Sequence, residues 1–340
     1  MKKKFIIICF SIIFFILLLL VTKKRRYIVI EGFTQGTTYK IAYWHPSKVN
    51  LKNSIDSIFQ VIDTTLSIYN NESLISKINN TEDTFIIKNY HLKKLIELSF
   101  RINKITNGVY DITLKPLVDA YGFGSGTEIK KLDSITIDSL MKFVGMEKIF
   151  LKDSLFVKQN KNIKIDLNAI AQGYTCDLIA NFFDNMNIKD YMIEVGGEIR
   201  TKGVNPKNKK WVIGIDRPDE SNMIPGQDLK SVVYISNISL ATSGNYRKYM
   251  IKEGKKFSHI INPYTGFPAQ SDILSVTVFH DTCSIADAMA TAFVVMGYNK
   301  TINFLNTYPN IQAYIIYVDS SNNIKTWMSE KLKKQLIELQ

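Results

Sequence analysis

Cysteine is scarce: three in 340 residues, at positions 9, 176 and 283. No CxxC pair or Cys/His cluster occurs, so a disulfide framework, a zinc site and an iron–sulfur cluster have nothing to build on. Cys9 lies inside a long apolar run, and Cys176 and Cys283 read as small core residues. A bridge between those two would join two of the candidate site segments, but their spacing alone does not specify a pairing. Three catalytic signatures are also missing: no G-x-S-x-G elbow, no G-x-x-x-x-G-K-[ST] loop and no H-E-x-x-H. Serine hydrolase, P-loop NTPase and zincin chemistry are thereby left without support. The glycines of YGFGSG (121–126) imitate part of a dinucleotide fingerprint, yet follow no strand and open no helix, and read as a surface loop.

Acidic residues are absent from positions 1–26, where Lys2, Lys3, Lys4, Lys23, Lys24, Arg25 and Arg26 supply seven positives. The net charge of +12 minus those seven leaves +5 for the remainder. Its lysines are scattered among asparagines and isoleucines without a basic stripe interleaved with aromatics, so no nucleic-acid partner is expected. No repeat, low-complexity tract or Pro/Ser-rich linker divides the chain. With 46% hydrophobic and 22% charged residues, it has the composition of one large body or two intimate lobes around a sizeable core.

What is present begins with an apolar run over 5–22, interrupted by Cys9 and Ser11 alone. As a helix rising about 1.5 Å per residue it spans a little under the roughly 30 Å of a bilayer's hydrocarbon core. No A-x-A-like cleavage site follows Leu20, which favours a signal anchor over a cleaved signal peptide. The expected organisation is a signal anchor or signal peptide at 1–26 and a folded body at 27–340. Positive charges on the two flanks, Lys2–Lys4 against Lys23–Arg26, nearly balance, so charge asymmetry hardly sets orientation. The expectation is anchoring in the inner (cytoplasmic) membrane with the body facing the periplasm or cell exterior.

Hydrophobic periodicity in the body predicts strands at 27–30 and 37–43 and helices at 51–62 and 92–105, the second stopped by Asn107-Gly108. A hairpin is expected from 150–157 and 163–167 around a turn at 159–162, then a helix at 173–183 and strands at 191–195, 211–215 and 232–235. A second hairpin, 246–251 with 257–261, precedes a strand at 276–279 and a buried helix. The sum is an α+β fold, mixed, with largely antiparallel sheets and packed helices.

Chemistry concentrates in the connections. In SIADAMAT (284–291), Asp287 and Thr291 stand four residues apart on one face of a helix whose continuation, 292–296, is apolar. A buried carboxylate there needs a partner, and the pair has the oxygen chemistry of half a magnesium site. Helix capping by Ser284 and Asp287 is the alternative, although Thr291 lies a turn beyond any cap. In IDLNAIAQG (165–173), Asp166 enters a tight turn that opens a helix. The Ala169 carbonyl could ligate a hard cation there while N–H groups face an anion; an ordinary Asp N-cap is the other reading. Gly196-Gly197 permits close approach to a ligand or merely a turn. ATSGNYRKY (241–249) joins hydroxyls to Arg247 and suits phosphate contact or an exposed turn. His259 lies on the second strand of its predicted hairpin, just before the Pro/Gly turn of SHIINPYTGFP (258–268), in either a functional or a structural role.

Taken in order, QGTTY (35–39), LSIYNNES (66–73), NGVYDITLKPLVDAYGFG (107–124), IDLNAIAQGY, EVGGEIRTKG (194–203), LATSGNYRKY, SHIINPYTGFP and ADAMATAFVVMG (286–297) resemble the FAD:protein FMN transferases, the ApbE family. The resemblance implies an ApbE-like two-lobed single body behind the membrane segment. It implies an enzyme that takes FAD as substrate, uses Mg2+, and attaches FMN to a Ser or Thr hydroxyl of a target protein, releasing AMP. Carried onto this sequence, it assigns the metal to Ala169, Asp287 and Thr291. Flavin contacts fall to Gln35, Tyr69, Val109, Tyr110, Asp111, Asp166, Gln172 and Ile261, with Tyr69 and Tyr110 offering aromatic surface. Catalytic roles fall to His259, Asp287 and Arg247. The chain departs from the family pattern at Gln35 (commonly Met), Asn168-Ala169 (a glycine pair) and Gln172 (often Lys). The lost cation leaves two alternatives open: an Mg-dependent FAD pyrophosphatase giving FMN and AMP, and a non-catalytic flavin-binding protein. No D-x-x-[ST]-G-[AS]-[ST] acceptor is present, GSGT at 124–127 fitting poorly. The expected acceptor is therefore another protein, a membrane-associated redox subunit.

Overall fold

The structure is a computed structural model that describes residues 26–126, 132–219, 221–222, 224–244, 249–252 and 255–339. The apolar run at 5–22 and Arg247 lie outside the described residues. From the start come a hairpin of β1 (Ile28–Thr34) and β2 (Thr37–Tyr43), α1 (Lys52–Leu66), α2 (Leu74–Asn80), β3 (Thr84–Ile86) and α3 (Tyr90–Ile105). A 3-10 turn (Ile112–Leu114) leads into α4 (Lys115–Tyr121), α5 (Ser134–Met141), β4 (Ile149–Lys152), β5 (Leu155–Lys158) and α6 (Asn168–Asn185). Next are β6 (Tyr191–Val195), β7 (Glu198–Lys202), β8 (Trp211–Asp216), β9 (Leu229–Ile235), β10 (Ser239–Gly244), β11 (Tyr249–Lys252) and β12 (Lys255–Ser258). The chain closes with β13 (Ile273–His280), α7 (Cys283–Met296), α8 (Tyr298–Thr307), β14 (Gln312–Val318), β15 (Ile324–Met328) and β16 (Leu336–Glu338).

Eight strands form an antiparallel sheet in the order β1-β2-β6-β7-β10-β13-β14-β15, and two three-stranded sheets, β16-β9-β8 and β3-β5-β4, flank it. Side chains alternate across a strand, so each central strand feeds two cores. In β14, Ala313 and Ile315 join the helix-side core with Met289, Phe293 and Ile170. Tyr314 and Ile316 join the opposite one with Trp211, Ile213 and Val233 of the β8–β9 sheet. The result is a layer of helices, the large sheet, and the β16-β9-β8 sheet on its far side. The expectation of a mixed α+β fold with antiparallel sheets holds.

Four local expectations are corrected. Residues 150–157 are not one strand: Asp153 adopts φ +53 and turns the chain between β4 and β5. Residues 163–167 pair with no strand; instead the Asn79 amide accepts from the Ile165 N–H (2.7 Å) and donates to its carbonyl (2.9 Å), doing the work of a neighbouring strand. The helix read at 173–183 starts at Asn168, and β12 ends at Ser258, leaving His259 just past it.

The capping reading of the buried helix also gives way. Position 282 precedes α7 without a side-chain cap. Asp177, from α6, accepts from the Cys283 N–H (2.9 Å), the Ser284 N–H (3.0 Å) and the Ser284 hydroxyl (2.7 Å), and meets Arg200 at 3.3 Å. A carboxylate more than a hundred residues away thus satisfies the first-turn donors of α7.

Candidate functional site

The site is organised where α6 crosses α7. Gly173 makes the crossing possible: a Cβ there would lie 2.5 Å from the Cys283 carbonyl oxygen and 2.8 Å from Asp287 Cβ. Its N–H donates to Asp287 Oδ2 at 3.0 Å. In a regular helix that N–H belongs to the carbonyl four residues back, here Ala169. The Asp287 carboxylate thus takes an N–H whose regular helical acceptor would be the Ala169 carbonyl, in the first turns of α6. One turn further along α7, Thr291 Oγ1 lies 3.4 Å from Ser243 Oγ on β10. Carboxylate, carbonyl and hydroxyl oxygens make a hard donor set suited to a magnesium-like cation. Among the described residues no three His, Cys, Asp or Glu side chains gather as a metal cluster, so any cation here depends mainly on backbone and hydroxyl oxygen.

Two turns close over the first half of α6. Gln35, at φ +49 in the β1–β2 turn, donates through Nε2 to Thr175 Oγ1 (2.8 Å). Gln172 packs against Gly196, where a Cβ would come within 2.9 Å of its amide. Gly196 and Gly197 take φ of +68 and +103 at the β6–β7 turn, a conformation that glycine adopts without strain.

On the other side, the Asp166 N–H donates to the Ile112 carbonyl (2.8 Å), tying the start of α6 to the Asp111 turn. Asp166 Oδ1 accepts from the Asn168 N–H (2.8 Å), and Asp111 Oδ1 from the Thr113 N–H (2.7 Å) and hydroxyl (2.5 Å). Burial pushes both carboxyls above the usual carboxylate range, and these hydrogen bonds oppose the shift. Tyr69 is 68% exposed, with its hydroxyl shifted upward by burial and by nearby Asp166 and Asp119. The Tyr110 ring is instead 3% exposed, sunk in the helix-side core with Val109 against the same cluster. Its backbone is held by Thr106 and Asn103.

The turn after β12 docks beside them: the Tyr264 hydroxyl donates to the Asn107 carbonyl. Ile261 bridges to Pro268, and its side chain fills a small core with Leu117, Tyr121, Ile137 and Val144, facing no open surface. His259 meets the Phe123 ring edge-on, centroids 6.3 Å apart. Phe123 sits on a loop secured by a buried ion pair that the sequence reading missed. Lys115 Nζ donates to both Asp119 oxygens at 2.9 Å and to Ser125 Oγ at 3.1 Å, and Asp119 Oδ1 also accepts from the Gly126 N–H. The i,i+4 spacing on α4 was the available signal. Asp119→Ala would leave the Lys115 charge uncompensated, and a loss of about 3 kcal/mol is expected. Thermal unfolding, together with proteolysis within residues 122–126, measures it.

The ApbE family profile matches residues 35–315. The chain belongs to the ApbE family. It is 31% identical to the FAD:protein FMN transferase of Haemophilus influenzae over 319 residues, 90% of this chain and 91% of that protein. It is 29% identical to that of Escherichia coli K12 over 324 residues, 91% and 89% of the two chains. Among solved structures, the flavin transferase ApbE from Vibrio cholerae superposes with a TM-score of 0.82 at 27% identity, covering 91% of this chain and 99% of that one.

In this ApbE-family chain Gly173 has no room for a side chain where α6 meets α7. Gly173→Ala would push backbone against backbone, and a loss of about 2 kcal/mol is expected from overpacking, with the α6–α7 separation widened at Asp287. Denaturant midpoints and turnover, measured together, test it.

Proposed function

We propose that this chain transfers FMN from FAD to a Ser or Thr hydroxyl of an acceptor protein, releasing AMP, with Mg2+ as its metal. The observation that carries the reading is the all-oxygen set of Asp287, Ala169 carbonyl, Thr291 and neighbouring Ser243 at the α6–α7 crossing, within a family whose named members are FAD:protein FMN transferases. Those donors fit a hard divalent cation, which when bound would offset charge developing on the pyrophosphate oxygens.

In the transfer, the acceptor oxygen attacks the FMN phosphorus, the bond from that phosphorus to the bridging oxygen breaks, and AMP leaves with the bridging oxygen. His259, edge-on to Phe123, is proposed to take the acceptor proton or steady the phosphate. Arg247 is assigned to phosphate contact. Exposed Tyr69 offers a ring face to the flavin or adenine, while Tyr110, Val109 and Ile261 contribute through their backbones and by shaping the wall. Gln35 and Gln172 supply amides rather than charge over the first half of α6. The acceptor is proposed to be a membrane-associated redox subunit, met by a body anchored at the inner membrane and facing outward.

The test incubates the full chain in detergent with FAD, magnesium and an acceptor domain, reading intact mass and nucleotides. A mass gain equal to FMN with AMP released supports the transferase. Free FMN and AMP without a mass gain would make the chain a pyrophosphatase, and intact FAD a binding protein.

A further inference from the structure

Half-exposed antiparallel strands normally alternate apolar inside with polar outside. The β16-β9-β8 sheet does not. Its inner positions, Trp211, Ile213, Val233, Ile235 and Leu336, pack on the large sheet. The middle of its outer face is apolar too: Val212 is 50% exposed and stands opposite Tyr234 at 39%, and Ile337, 54% exposed, stands opposite half-buried Val232.

Basic residues border this face. The segment 204–215 contains Lys207, Lys209 and Lys210 and no acid, and all three lysines are exposed. Lys230, at the start of β9, continues the outer row. Asp216, at the far end of β8, accepts from the Gly226 N–H.

The described chain begins beside this border. Tyr27 donates to the Val204 carbonyl at 2.6 Å and meets the Trp211 ring edge-on at 5.8 Å, so it is fastened to both ends of the lysine turn. Between Tyr27 and the apolar run ending at Thr22 lie only Lys23, Lys24, Arg25 and Arg26, no more than about 18 Å of extended chain. Whatever holds the apolar run therefore lies within reach of this face.

We propose that the outer face of the β16-β9-β8 sheet, with Lys207, Lys209, Lys210 and Lys230, rests on an anionic lipid surface. Lysines near such a surface attract its headgroups, and the apolar row supplies contact area at the interface. The α6–α7 site lies on the other side of the large sheet, so docking leaves it turned away from the bilayer and open to FAD and an acceptor.

The test reconstitutes the full chain into nanodiscs of phosphatidylcholine with or without phosphatidylglycerol and maps lysine acetylation by mass spectrometry. Labelling of the four lysines is expected to fall about fivefold with phosphatidylglycerol and to recover in high salt. Lys152, on the exposed face of the other small sheet, should not change. The double variant Val212→Asp with Ile337→Asp, at outward positions that leave the cores intact, should lose the protection. Equal labelling in both lipids would overturn the proposal. So would protection that appears in detergent and grows with protein concentration, which would assign the face to contact between copies.

Discussion

Asp287→Ala is expected to abolish FMN transfer, with kcat reduced by at least about a hundredfold and no rescue at high magnesium. The reasoning rests on what the carboxylate touches. Its Oδ2 is bound to the Gly173 N–H, whose regular helical acceptor is the Ala169 carbonyl. Removing the carboxylate returns that N–H to an ordinary helical partner, so the fold should lose only about 1 kcal/mol. The charged member of the oxygen set, by contrast, is lost outright, leaving the carbonyl and the Thr291 and Ser243 hydroxyls. Asp287→Asn keeps an acceptor for Gly173 while removing the charge, so it should match alanine in activity and wild type in stability. Turnover across a magnesium titration, with thermal unfolding alongside, checks both. Wild-type turnover in the alanine variant would refute the metal assignment.

Asp177→Ala is expected to lose roughly 3 kcal/mol of stability, which in a chain of this size lowers the melting temperature by about 5–10 °C. Two effects add. Two first-turn N–H groups and the Ser284 hydroxyl of α7 lose their shared acceptor, and Arg200, 23% exposed in its side chain, loses its carboxylate partner. Asp177→Asn should recover part of the loss, because an amide oxygen can still accept from one N–H. Activity should fall only as far as α7 shifts. Differential scanning calorimetry of the two variants decides the matter: equal melting temperatures for wild type and alanine would show that α7 is held by packing alone.

Much of the secondary structure was legible because it is written locally. Period-two apolar residues mark β2 and β6 at the bounds expected, and the 3.6-residue pattern with Asn107-Gly108 marks the end of α3. The misreadings share a cause. Residues 163–167 have the composition of a strand but are satisfied by one side chain, Asn79, from 86 residues away. Asp153 turns what reads as one strand, 150–157, into a hairpin through a left-handed backbone that the apolar residues on either side do not announce. Ser284 looked like a cap because capping residues are recognised by neighbours in sequence, whereas its helix is capped from α6.

The sequence by itself determined most of the element types, the ordered motifs of the ApbE family, and the oxygen character of Asp287 and Thr291. These follow from residue identity and short-range periodicity, which act within a few positions of the chain. Tertiary structure decided which oxygen meets which N–H at Gly173, that Tyr69 is open while Tyr110 is buried, that Lys115 and Asp119 hold the Phe123 loop against His259, and that the outer face of a small sheet is apolar beside the start of the body. Each of these depends on contacts between segments distant in sequence, and a hydrogen bond or an exposed surface exists only once the packing that sets its distance has formed.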